Sequence, residues 1–111
     1  MNTTLTVGNC DFQFEANSKW ARRPNGVNWQ DVVAVHFTTK NDVYVFNRGD
    51  REMIYFDSHG NCLGDWGETD FARPHGLTIS STNEIFCTDD FAHTVTKYDL
   101  HGNTLLALGT R

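Results

Sequence analysis

The stretch Asp57-Ser58-His59-Gly60-Asn61 returns as Asp99-Leu100-His101-Gly102-Asn103, a shift of 42 residues that needs no gap. The same shift carries Asn41 onto Asn83, Leu63 onto Leu105 and Gly67 onto Gly109. It also lays Val43-Tyr44-Val45 over Ile85-Phe86-Cys87 and Phe56 over Tyr98. A period of about 40–50 residues marks arrays such as β-propellers, in which one supersecondary unit recurs and buries its faces against its neighbours.

Inside each unit, short apolar or alternating runs are separated by turn residues, the pattern of small antiparallel strands. Four strands fit the first unit, at 32–37, 42–47, 53–57 and 62–66, and four fit the second, at 76–79, 84–88, 94–98 and 104–108. A four-stranded sheet of about 40–45 residues is a propeller blade. The expected fold is therefore all-β: two four-stranded antiparallel propeller blades at residues 32–67 and 68–111, preceded by an arm at 1–31. Phe12 and Phe14 alternate with polar neighbours, so the arm is expected to hold one strand at 11–15. That strand is placed either to close a blade elsewhere in a ring or to cap the first blade. About nine strands and no helix beyond a turn or so are predicted. Trp29, which aligns with Phe71, and Trp66, which aligns with Leu108, are expected in the blade-to-blade core with Val45 and Cys87.

The 111 residues suffice for one ordinary domain. A formal charge of −5 provides no basic field for phosphate backbones or anionic lipid, so neither nucleic acid nor a membrane is the expected partner. The N-terminal segment lacks the charged and apolar regions of a secretory signal, and no apolar run reaches membrane-spanning length, which predicts a cytoplasmic chain. Cys10, Cys62 and Cys87 form neither a CxxC pair nor an even framework and read as free thiols.

Both units share an apolar strand, then Asn-Asp/Glu-apolar-aromatic, then aromatic-Asp-x-x-Gly-Asn, and this consensus resembles the NHL repeat. The stretch from Val43 to Arg51, with Asn47-Arg48-Gly49-Asp50 at its centre, is similar to one signature of the peptidyl-α-hydroxyglycine α-amidating lyase family. Arg73-Pro74-His75-Gly76-Leu77-Thr78-Ile79 is similar to a second, in the same order, and the segment from Thr88 to Lys97 resembles the one beyond that second signature in the family. The likeness covers about residues 27–109. It implies a partial six-bladed β-propeller, and a family chemistry that cleaves α-hydroxyglycine-extended peptides to a peptide amide and glyoxylate at a zinc held by three His, with a calcium nearby. By motif, Arg48 corresponds to an active-site Arg and His75 to one zinc ligand, while Val35 and Leu77 correspond to residues whose carbonyls bind calcium. The other two zinc-binding His, the catalytic Tyr and a second Arg have no counterpart in these two blades.

Read from the residues alone, His75 follows Pro74 at the entry to an inner strand, where a side chain can point into a channel; it is either a zinc ligand or a hydrogen-bonded structural His. Arg48 stands in a turn, where it grips a carboxylate or oxyanion or else makes a surface contact with Asp50. His36 reads as a satisfied polar residue, His59 and His101 as turn residues, and His93 as lying away from any channel.

Two blades leave two apolar faces open, so a homo-oligomer is expected, with a trimer closing a six-bladed ring. Two functions are compatible with this. One is a non-catalytic scaffold or binding module with a peptide as ligand; the other is a zinc-dependent amidating lyase-like site assembled across chains, in which threefold symmetry brings three copies of His75 together. In such a ring the carbonyls of Val35 and Leu77 would line a layer suited to calcium.

Overall fold

The computed structural model describes residues 5–110, which form ten strands in three antiparallel sheets and no helix. In the arm, β1 (Leu5–Asn9) pairs with β2 (Phe12–Ala16). The first four-stranded sheet has the order β3 (Asp31–Phe37), β4 (Val43–Arg48), β5 (Met53–Phe56), β6 (Cys62–Trp66). In the second, β7 (Pro74–Ile79), β8 (Ile85–Asp89), β9 (Thr94–Tyr98) and β10 (Thr104–Gly109) are arranged in the same order. The described residues form no closed ring. The single arm strand expected at 11–15 is instead a hairpin. Leu5 and Val7 alternate as Phe12 and Phe14 do, and the register Leu5↔Ala16, Val7↔Phe14 puts the apolar side chains on one face.

The repeated turns are built from the same bonds. The Asp57 carboxylate accepts the N–H groups of His59 and Asn61, both at 2.9 Å, and the Asn61 amide at 2.9 Å. Asp99 accepts from His101 (2.8 Å) and from Asn103 through its backbone (3.0 Å) and side chain (2.8 Å). Each turn needs a left-handed residue, and glycine supplies it without steric cost, at φ 83° in Gly60 and 86° in Gly102. The first turn of each sheet repeats too: Asn41 and Asn83 sit at φ 66° and 59°, and each donates its N–H to the residue three back, Thr38 or Ser80, at 2.9 Å.

Register decides which residues meet. In the first sheet Ala34 and His36 lie opposite Phe46 and Tyr44, and this side faces the second sheet. There Leu77, Ile79, Ile85 and Cys87 close against Tyr44, Phe46 and Met53 as one core. Two polar ties cross it: Tyr44 donates its hydroxyl to the Leu100 carbonyl at 3.0 Å, and the Ile79 N–H donates to His36 Nδ1 at 3.1 Å. His36 is thus a satisfied polar residue that fixes β3 to β7. The opposite side of the first sheet, with Val45, Ile54 and Phe56, is covered by Trp20, Ala21, Val27 and Trp29 of the arm.

Val45 and Cys87 are buried as expected, whereas Trp29, Trp66 and Phe71 are only half-buried. Trp66 packs at 4.9 Å on Tyr98 with the rings tilted by 44°, and its ring lies over Gly102. At Gly60 a Cβ would fall 1.8 Å from the Trp20 carbonyl oxygen. Gly60→Ala should therefore cost about 1–2 kcal/mol from its left-handed backbone alone, and should also lift Trp20 off the sheet. A lowered denaturant midpoint with a shifted tryptophan emission is the expected result.

Candidate functional site

One end of the inter-sheet seam is organised by two buried acids. Glu52 accepts the N–H groups of Asp70 (2.7 Å) and Phe71 (3.1 Å). Asp89, at the end of β8, accepts those of Ala72 (2.6 Å), Arg73 (3.1 Å), Phe91 (3.2 Å) and Ala92 (2.8 Å). The connection from β6 to β7 is hung on these two side chains. Asp89 occupies the position that Asn47 holds in the first sheet, where Asn47 Oδ1 accepts the Gln30 N–H at 3.1 Å and its amide reaches the Arg51 carbonyl at 3.2 Å. The two positions share one task, to hold the segment that enters the sheet.

Burial pushes the Asp89 carboxyl up, but its four backbone donors outweigh that and hold it below the ordinary 3.8. For Glu52 burial dominates, and two backbone donors leave its carboxyl raised above the ordinary 4.5.

The entering segment delivers Arg73, Pro74 and His75 to the end of β4, where Arg48 stands. Arg48 donates Nε–H to the Pro74 carbonyl at 2.8 Å, and its Nη2 lies 3.4 Å from His75 Nδ1. As a hydrogen bond this contact has Arg48 as donor and Nδ1 as acceptor, the tautomer that carries its proton on Nε2. Asp90 Oδ2 lies 3.9 Å from the same Nδ1, and the Asp90 carboxylate is itself gripped at 2.6 Å by both Nε and Nη2 of Arg73. That bidentate hold, together with the Arg73 charge, lowers the Asp90 carboxyl. His75 remains exposed, with 61% of its side chain open.

The structure thus brings together Arg48 and His75, which stand in separate sequence motifs, and adds Arg73 and Asp90. Val35 and Leu77 lie on the edge strands β3 and β7, in equivalent ladder positions opposite Val45 and Cys87. Two such carbonyls fall short of the six to eight oxygens calcium takes. Among the described residues no three His, Cys, Asp or Glu side chains gather as a metal-ligand set. One imidazole with Nδ1 already engaged does not make a zinc site within the chain. The Cys87 thiol, pushed up to about 12 mainly by burial, has no nucleophilic character here. His93 stands exposed at the entry to β9 with φ 57°, away from this cluster.

Sequence reasoning missed Glu52, Asp89, Arg73 and Asp90. Signals existed for two of them: Asp89 falls on Asn47 in the repeat, and Arg73 adjoins the Pro74-His75 pair. Glu52 falls on Thr94, so the repeat hides it. No model of a known protein family matches the chain, and no curated protein sequence is significantly similar to it.

Asp89→Ala should cost about 3 kcal/mol, since it strips a charged acceptor from four backbone N–H groups, that of Ala92 buried and the other three part-buried, and should disorder residues 72–75. In the unaltered chain the Asp89 contribution is complete above pH 3.8 and disappears as pH falls through its lower folded value. Glu52 acts in the opposite sense, favouring the fold less as pH rises from 4.5 through its raised value. Amide exchange of Ala72 and Arg73 followed from pH 6 down to about pH 3 checks this, with protection expected to persist through the ordinary carboxylate range.

Proposed function

We propose that the chain is an NHL-type propeller-blade module without catalytic activity of its own, which binds the carboxylate end of a peptide at the Arg48–His75 edge and self-associates to close a ring. The observation that carries this reading is the meeting of Arg48 and His75 at the inner edge of the two sheets. Arg48 commits Nε and Nη2 to the protein, so its guanidinium is pre-set, and Nη1 remains to face a ligand. His75 offers its Nε2 proton in the tautomer that accepts from Arg48. A planar carboxylate suits these two donors, and the fixed guanidinium loses little freedom on binding. Arg73, neutralised by Asp90, braces the backbone and adds little attraction.

The zinc-dependent lyase-like reading rests on one feature, the exposure of His75, which symmetry in a trimer would repeat around an axis. The ligand set within one chain does not fit zinc, nor do the Val35 and Leu77 carbonyls alone fit calcium. Metal analysis of an assembled sample distinguishes the readings: three His75 per zinc, lost in His75→Ala, favours the lyase-like site.

The binding reading is tested by calorimetric titration of a short peptide as free acid and as amide. The free acid should bind more tightly than the amide by about tenfold, the worth of one charge-assisted hydrogen bond. Arg48→Ala should abolish the difference and Arg48→Lys should not restore it. Equal binding of acid and amide, or a preference that survives Arg48→Ala, would contradict the proposal.

A further inference from the structure

We propose that the arm, through Trp20, Arg22 and Trp29, occupies the face of the first blade on which the second blade of another copy would dock, so that a ring closes only when the arm leaves. This inference rests on the blade reading above.

The two blades meet in a defined way. Trp66 and Phe71 of the first blade and its exit loop flank Tyr98 of the second, with ring centroids at 4.9 and 6.1 Å, and Trp66 lies over Gly102. On the other side of the first blade Phe56 is the counterpart of Tyr98 and Gly60 of Gly102. There Trp20 and Trp29 flank Phe56 at 5.9 and 6.0 Å, and Trp20 lies over Gly60. The arm therefore stands where the outer strand of a preceding blade would stand. It also carries a tether. The Arg22 N–H donates to the Gly60 carbonyl at 3.0 Å, and its Nη2 reaches the His59 carbonyl at 2.8 Å and Asn61 Oδ1 at 2.5 Å.

The cover is incomplete, which identifies what fits beneath it. Leu77 and Ile79 are 9% and 6% exposed where the first blade packs on them, but their counterparts Val35 and Phe37 are 59% and 61% exposed. The arm shields the outer half of this face and leaves the inner half bare. At the far end of the chain Val95, Leu106 and Leu108 are 39%, 50% and 58% exposed, and the register sets Leu108 opposite Val95. Leu108 is the counterpart of Trp66. A second copy continuing the existing blade-to-blade interface would bring its inner strands over Val35 and Phe37, and its Leu108 into the seat Trp20 now holds. One seat with two claimants makes the arm a competitor of assembly.

The test is solution mass by light scattering of the full chain, an Arg22→Ala variant that removes the two side-chain bonds of the tether without touching the core, and an Arg22→Ala/Trp20→Ala variant. The unaltered chain is expected as a monomer at the concentrations where the variants first assemble, its own ring forming only at higher concentration as the arm is displaced. The variants should reach, as concentration rises, a discrete assembly of three times the monomer mass that dissociates on dilution, with the double variant assembling at lower concentration. Adding Leu108→Asp should return both to monomers. Variants that stay monomeric while keeping the β-rich circular dichroism of the parent would overturn the proposal. So would assembly indifferent to Leu108→Asp, or a ring of unaltered chains with Trp20 still packed against Phe56. Carboxylate binding at Arg48, measured on monomers, stands or falls separately.

Discussion

The contact on which the rest depends is the apolar seam between the two four-stranded sheets. Phe46, Met53 and Ile85 are fully buried there, and Cys87 is all but so. Each large apolar side chain moved from water into such a seam contributes about 1.5–3 kcal/mol, and neither sheet has another apolar layer of that completeness. The polar ties from Tyr44 to Leu100 and from Ile79 to His36 add direction to a force that has none. Once the seam sets the register, β4 and β7 must converge at one end. Arg48 reaches the Pro74 carbonyl because the core has already fixed where Pro74 lies.

The candidate site is thus a consequence of packing with a polar scaffold laid over it. Glu52 and Asp89 turn a connection that crosses between sheets into a fixed bracket, each supplying a carboxylate to N–H groups that no ladder satisfies. Their opposite displacements reflect the balance of the same two forces. Burial prevails over two donors at Glu52, while four donors prevail over burial at Asp89. At the exposed end of the bracket Arg73 closes on Asp90, and His75 stays exposed beside the half-buried Arg48.

Much of the fold was legible because repeated chemistry repeats backbone geometry. Asp57 and Asp99, Gly60 and Gly102, and Asn41 and Asn83 each mark a turn whose bonds recur, and alternation places the eight strands between them. The arm was harder to read for a physical reason. Its β1 strand consists of Leu5 and Val7 among Thr, Gly and Asn, a weak pattern whose apolar face packs on no other strand, so local sequence alone carried its signal. Trp20 lies outside the repeat register, and its seat on Phe56 appears only once the sheets are folded. For the site, motif order singled out Arg48 and His75, and folding joined them. Of the acids that hold them only Asp89 had a signal, its place on Asn47 in the repeat, since an Asp or Glu at a strand end otherwise reads equally well as a solvated residue until its backbone partners are known.

If the seam governs both sheets, they should gain and lose structure together. Ile85→Ala opens a cavity in the second sheet alone and should cost about 2–5 kcal/mol. Native-state hydrogen exchange on this variant is the direct measurement. Protection should fall by the same factor at Val45 and Phe46 in the first sheet as at Cys87 in the second, and Ala72 and Arg73 should lose protection with them. A loss confined to β7–β10, with the first sheet exchanging as before, would contradict a shared seam.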